Sequence, residues 1–167
     1  MISQPMQDAL NEQIRNELHS AYIYLSMAAY FESVPFTGFA SWMRIQAREE
    51  LNHGMKIFEH LLDRGGQVRL HAIPEPPVRY QGALAVFEEA LRHEQEVTRS
   101  IHELYALSLS EKDFASRVFL DWFVAEQVEE EKNAQLIVEQ LRMVGSDLPG
   151  LLILDQKYGA RTPETAG

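Results

Sequence analysis

Glu50 and His53, in the stretch Arg48-Glu49-Glu50-Leu51-Asn52-His53, are three residues apart, so on a helix both project from one face. A carboxylate and an imidazole placed one turn apart can grip a single metal ion. The pair alone says little, because Glu-x-x-His also occurs on solvated helix surfaces. A pattern of spacing elsewhere makes it specific. Glu17 precedes Glu50 by 33 residues and His53 by 36, while Glu94 precedes Gln127 by 33 and Glu130 by 36. The second set is the first displaced by 77 residues, the mark of a duplicated helical hairpin.

The elements that must position these residues follow from the apolar periodicity. Met6, Leu10, Ile14, Ala21, Leu25 and Ala28 keep a helical period over about 6–33, with Glu17 and Tyr24 near the same stripe. Pro35 stops that helix, since proline disfavours a helical residue before it. A second helix is predicted over about 36–64, ended by Gly65-Gly66. Two helices joined by so short a turn lie antiparallel, and Glu17 is about as far before the turn as Glu50 and His53 are after it. Residues 65–81 carry three prolines and no helical period, and Val68, Leu70 and Ile73 predict that this connection packs down. Extended, it reaches on the order of 50 Å, more than the roughly 40 Å of a long helix, so it can cross the bundle from end to end. A third helix over about 82–110 and a fourth over 113–144 repeat the hairpin, and Glu94 faces Gln127 and Glu130 across its turn. The apolar run Leu148 to Leu154 opens a fifth helix over about 149–158, read as an assembly contact. The small polar tail 160–167 is expected to fray. The fold class is all-α: one domain over 1–167, a four-helix bundle with a long crossover loop and a short C-terminal fifth helix.

Glu17, Glu50, His53, Glu94, Gln127 and Glu130 are thus predicted at one level of the interior. Burying unpaired carboxylates is costly, and no lysine or arginine shares the stripe. Four carboxylates match two divalent ions in charge, and oxygen with one imidazole suits Fe²⁺, Mn²⁺ or Zn²⁺. The competing reading places these acids on solvated helix faces; the doubled spacing and the apolar flanks oppose it. Composition sets the outer limits. At 167 residues and 46% hydrophobic the chain can bury one proper core. With no cysteine it has neither thiolate zinc sites nor iron–sulfur clusters. A net charge of −10 argues against a nucleic-acid surface and suits cations. With no long apolar run and no signal-type start, it is expected to be cytoplasmic and not membrane-bound.

Asn16-Glu17-Leu18, Ala21-Tyr22-Ile23-Tyr24-Leu25, Arg48-Glu49-Glu50 with His53, Asp63-Arg64-Gly65-Gly66 and Ala125-Glu126-Gln127 with Glu129-Glu130 resemble signatures of the non-haem bacterial ferritins, a likeness that runs over about residues 5–158. The resemblance implies that Glu17, Glu50 and His53 hold a first iron, and Glu50, Glu94 and Glu130 a second, with Glu50 bridging. It implies Gln127 beside the pair, orienting oxygen or the ligands. Glu49, Glu126 and Glu129, sharing Glu130, resemble the additional third iron site of the bacterial proteins. Their duller reading is a charged face balanced by Lys132 and Arg142. Tyr24 matches a tyrosine thought to donate an electron, and its duller reading is core packing with the hydroxyl on a carboxylate. Trp122 and the methionines Met6, Met27, Met43 and Met55 are read as core, and His19, His60, His71, His93 and His102 as surface.

The departures matter as well. Bacterioferritins carry a second Glu-x-x-His and a haem-ligating methionine inside the first pair. Here Gln127-x-x-Glu130 and Leu51 stand instead, so no haem is expected. Rubrerythrins add a cysteine-rich domain that this chain lacks. The positions that supply acids to a three-fold pore in animal ferritins appear as Arg117 and Leu120, which puts an acidic pore in doubt and leaves other acids such as Asp121. The implied activity is oxidation of Fe²⁺ by O₂ or H₂O₂ with storage of ferric mineral in a hollow homo-oligomer, a 24-mer. The alternatives are a small non-storing di-iron oxidase or peroxidase and, weaker, an iron-free structural bundle.

Overall fold

A computed structural model describes residues 1–164. Five helices and no strand occur among them: α1 (Gln4–Ser33), α2 (Thr37–Asp63), α3 (Ala83–Ser110), α4 (Phe114–Val144) and α5 (Leu148–Gly159). Three of the five starts, those of α1, α4 and α5, are set by capping side chains. Ser3 accepts a hydrogen bond from the Met6 amide ahead of Pro5, Asp113 from Ser116, and Asp147 from Gly150 ahead of Pro149. α2 ends at Gly65-Gly66, where Gly65 takes a φ of +70° and the Gly66 amide reaches back to the Leu61 carbonyl at 2.9 Å.

α2 has no capping side chain of its own. Its cap comes from the far end of the chain: Asp155 of α5 accepts from the Phe39 amide at 2.8 Å. α5 lies so close at this point that a Cβ on Gly38 would stand 1.9 Å from the Asp155 carbonyl oxygen. The fifth helix is therefore fastened to the start of the second, while Leu148, Leu152 and Ile153 remain exposed.

α1 packs along α2 and α3 along α4, and the two hairpins meet along α1 and α3. The apolar interior divides into two clusters. One, around Tyr24, Phe31, Phe39, Trp42 and Phe87, fills the end beneath α5; the other, around Leu10, Ile57, Leu61, Ile101 and Phe123, fills the opposite end. The crossover 65–81 is pinned by α1. Asn11 donates to the Gln67 carbonyl and accepts from the Arg69 amide, at 2.9 and 2.7 Å, and the Tyr30 hydroxyl accepts from the Gly82 amide. Val68 packs down as expected, but Leu70 is 68% exposed, because backbone hydrogen bonds to Asn11 rather than apolar side chains hold the loop. Met55 also departs from expectation and is exposed. Arg161 in the tail, expected to fray, is held by side-chain contacts; residues 165–167 lie outside the described residues. Among the described residues no helix is long and apolar enough to cross a membrane.

Candidate metal centre

Between the two apolar clusters lies a layer of acids. Glu17 (α1), Glu50 and His53 (α2), Glu94 (α3), and Gln127 and Glu130 (α4) are all buried, none more than 5% exposed. Helical spacing explains the placement. Positions seven residues away on either side, such as Leu10 and Tyr24, Met43 and Ile57, Phe87 and Ile101, and Phe123 and Ile137, are apolar and buried, so the acids share the inward stripe.

Donor atoms of Glu17, Glu50 and His53 lie within 4.8 Å of one another, and so do those of His53, Glu126 and Glu130. His53 is common to both groups. Its Nδ1 stands 3.8 Å from oxygens of both Glu17 and Glu50, an attraction across a gap rather than a hydrogen bond. Glu17 Oε2 and both oxygens of Glu50 are buried without a hydrogen-bond partner. Orphaned carboxylate oxygens are rare in protein interiors because each forfeits its hydration, and these three, two of them 3.8 Å from the His53 imidazole, make a cradle that could hold a cation.

The remaining acids are held. Gln13 donates to Glu17 Oε1 at 2.8 Å, and Gln46 to Glu130 Oε2 at 2.9 Å. Tyr24 donates its hydroxyl proton to Glu94 Oε1, and Gln127 Nε2 lies 3.2 Å from Glu94 Oε2. Neither Gln13 nor Gln46 was singled out from the sequence. A signal existed: they stand four residues before Glu17 and Glu50, on the same faces and 33 apart.

Protonation reflects the crowding. Burial, then the charges of Glu94, Glu17 and Glu130, push the Glu50 carboxyl well above its ordinary value. Burial pushes Glu94 up to about 7 against the hydrogen bonds of Tyr24 and Gln127. Burial and the charge of Glu94 push Glu130 up to about 8. Burial alone would lower His53, but Glu17, Glu130 and Glu126 outweigh it and the ring is raised. Without metal the centre holds protons that a cation would displace.

Of the acids expected at an additional site, Glu126 joins His53 and Glu130, whereas Glu129 is exposed. Glu49 is paired instead with Arg161, at 2.6 Å. Tyr24 presents its ring edge to Trp42 and His93, at 6.4 and 6.3 Å between centroids. Trp122, expected in the core, is 40% exposed: one side of its ring meets His53 at 5.2 Å and Lys56 lies over it. His60 and His93 are not free surface residues, since His60 stacks on Phe119 and bonds Ser116 while His93 bonds Ser20. Leu120 is fully buried, so it faces the core rather than a pore, and Asp121 is occupied by Arg117 and Tyr105.

A family model described as a ferritin-like domain matches residues 7–144. The chain is 37% identical over 162 residues to the bacterial non-heme ferritin of Staphylococcus aureus strain USA300, covering 97% of this chain and 98% of the relative. The Staphylococcus haemolyticus protein of the same name is 36% identical over the same length, with the same coverage. Among solved structures, an open pore ferritin from the hyperthermophilic archaeon Archaeoglobus fulgidus is 51% identical with a TM-score of 0.96, covering 97% of this chain and all of that one. A closed form of the A. fulgidus ferritin, made by site-directed mutagenesis, is 51% identical with a TM-score of 0.97, covering 98% of this chain and all of that one.

Proposed function

Since the chain belongs to the ferritin family, we propose that it oxidises Fe²⁺ at the buried carboxylate layer and stores the ferric product as mineral within a closed shell of its own copies. The observation that carries this reading is the cradle of bare oxygens. Glu17 Oε2 and both Glu50 oxygens have no partner, and they converge with His53. Fe²⁺ is here substrate. Glu17, Glu50 and His53 receive one ion, and Glu50, Glu94 and Glu130 a second, with Glu50 between them. An oxygen-rich set favours the ferric state because hard carboxylates bind the higher charge more strongly. Two adjacent ions release two electrons together, enough to take O₂ with two protons to H₂O₂, or H₂O₂ with two protons to water.

The protons held by Glu50, Glu94 and Glu130 leave as iron arrives, so charge inside the layer stays nearly balanced. Gln127 holds Glu94 in place, and Gln46 holds Glu130. Tyr24, bonded to Glu94, is placed to supply a further electron. Glu49, Glu126 and Glu129 with Glu130 form the outer station through which iron leaves the pair.

Assembly into a 24-mer of ferritin type is supported by the likeness to solved ferritins, and apolar surface in two places is available for its contacts. One is the exposed side of α5. The other is a hollow of about 450 Å³ on α1 and α2, lined by Leu18, Tyr22, Leu25 and Leu51. We place this assembly in the cytoplasm, with no haem and no nucleic-acid partner.

Aerobic Fe²⁺ oxidation by the wild type and by Glu50→Ala, followed by sizing of the product, tests the reading. Loss of the fast phase in the variant, with hundreds of irons kept soluble in a large wild-type shell, is the expected result. A small wild-type species that oxidises only about two irons per subunit would replace storage by a non-storing di-iron oxidase. An unchanged variant would mean the centre is misplaced.

A further inference from the structure

The tail carries a cation that the proposed chemistry does not use. Arg161 follows the last turn of α5, yet its side chain reaches back to α2. Its Nη1 donates to Gln46 Oε1 at 2.5 Å and its Nη2 to Glu49 Oε2 at 2.6 Å. Its guanidinium lies over the Trp42 ring, 4.9 Å from the centroid. Through Gln46, which donates to Glu130 Oε2 at 2.9 Å, the same guanidinium is linked to a carboxylate of the buried layer. The other Glu49 oxygen is buried and unpartnered.

Resting on the reading of Glu49, Glu126, Glu129 and Glu130 as an outer iron station, we propose that Arg161 is the resident counter-ion of that station. It holds Glu49 while the station is empty, and an incoming ion must displace it. Arginine keeps its charge at every accessible pH, so it cannot relieve repulsion by losing a proton. Two cations on one carboxylate repel, and the guanidinium, on a long side chain beyond the last turn of α5, is the one that swings away. Its polar contacts are Gln46 and Glu49, so among the ligands of the first pair of ions only Glu130 feels the exchange, and only at second hand through Gln46.

Displacement breaks a charge-assisted pair, a second hydrogen bond and a cation–π contact, and that cost weakens the outer ion alone. The outer station is thereby a place of transit and not a sink. An ion that carries more charge competes better with the guanidinium, so Fe³⁺ leaving the pair takes Glu49 more readily than Fe²⁺ does.

Calorimetric titration of the metal-free assembled protein with Zn²⁺, a redox-inert probe, tests this. Arg161→Gln should tighten the outermost ion by about tenfold and leave the first two within about twofold. Arg161→Lys, which keeps the charge but loses the fork, should fall between the two. Glu49→Gln should lose the outer ion, and adding Arg161→Gln to it should change nothing further. In a Trp122→Phe background, Trp42 emission should respond to the outer ion and not to the first two.

If Glu49→Gln abolishes the outer ion while Arg161→Gln leaves its affinity unchanged or weaker, the counter-ion proposal falls and the station stands. If Glu49→Gln alters no ion, the station was misassigned and the proposal falls with it.

Discussion

The two hairpins carry the same spacing and different chemistry. In α1–α2, three carboxylate oxygens of Glu17 and Glu50 are left bare beside His53. In α3–α4, Tyr24 and Gln127 bond Glu94, and Gln46 bonds Glu130. A buried oxygen without a donor costs the empty protein far more than a hydrogen-bonded one, and a cation relieves that cost on arrival. On the proposed function, the first hairpin would take an ion readily, and the second only in competition with donors already present. Two positions account for much of the difference. Where the first hairpin has Glu50 and His53, the second has Gln127 and Glu130. The glutamine brings an N–H of its own, which faces Glu94 instead of a metal.

The sharpest way to break this contrast is to remove one acid from each half. Glu17→Ala should remove the first tight ion from a calorimetric titration and slow first-turnover Fe²⁺ oxidation by about a hundredfold or more. Glu94→Ala should slow it by only about tenfold and spare the first ion, because Glu94 gives up less when its oxygens are already engaged. Equal losses from the two variants would erase the distinction between the hairpins.

A smaller effect should appear in thermal stability. Glu50, Glu94 and Glu130 hold protons more tightly in the folded chain than in the unfolded one, so the folded state binds more protons above the ordinary carboxylate range. Stability then falls as pH rises, from that range up to about 8, by up to about 1.4 kcal/mol per pH unit for each proton concerned. His53 is also raised, and its contribution is likewise lost as pH rises. The melting temperature of the metal-free protein should drop between pH 5.5 and 8.5, and Zn²⁺ at about a hundred times its Kd should restore roughly 5–10 °C at the upper end. A metal-free curve that is flat with pH, or that rises, would contradict the buried-acid assignment. In Glu17→Ala the Zn²⁺ increment should shrink more than in Glu94→Ala.

Much of this was legible in the sequence because two periodicities coincide there. Apolar residues at helical spacing fix which face is inward, and the repeated interval from Glu17 and Glu94 places the acids across each turn. Proline and glycine marked the ends of α1 and α2 through local backbone physics. Side chains that act across the bundle left weaker traces. Asp155 caps a helix that begins more than a hundred residues earlier, and nothing near Phe39 announces it. Arg161 looked like part of a loose tail because its partners, Gln46 and Glu49, lie on α2. Trp122, an aromatic near the acid layer, is expected in the core, but one flank of its ring is at the surface under Lys56. Leu70 is expected to pack down because it is apolar, but polar contacts from Asn11 govern its loop.

Tyr24 should give the smallest effect and tests the second hairpin's share of the chemistry. Its hydroxyl is bonded to Glu94, and its ring lies edge-on to Trp42 and His93, so Tyr24→Phe removes one donor and leaves the packing intact. Burial, then the charges of Glu94, Glu50 and Glu130, hold the phenol well above its ordinary value, so it stays protonated at neutral pH. An electron taken from it must therefore leave together with its proton, and Glu94 is the base in contact. Two irons provide two of the four electrons that carry O₂ to two waters, the phenol a third and an Fe²⁺ at the outer station the fourth; without the phenol, more of the oxygen should stop at H₂O₂. Tyr24→Phe is expected to bind Zn²⁺ with unchanged stoichiometry, to oxidise Fe²⁺ within about threefold of the wild-type rate, and to release more H₂O₂ per iron. A shift in Zn²⁺ affinity with no change in H₂O₂ would make the phenol an anchor for Glu94 alone. The contrast between the hairpins would then be one of metal affinity and not of electron supply.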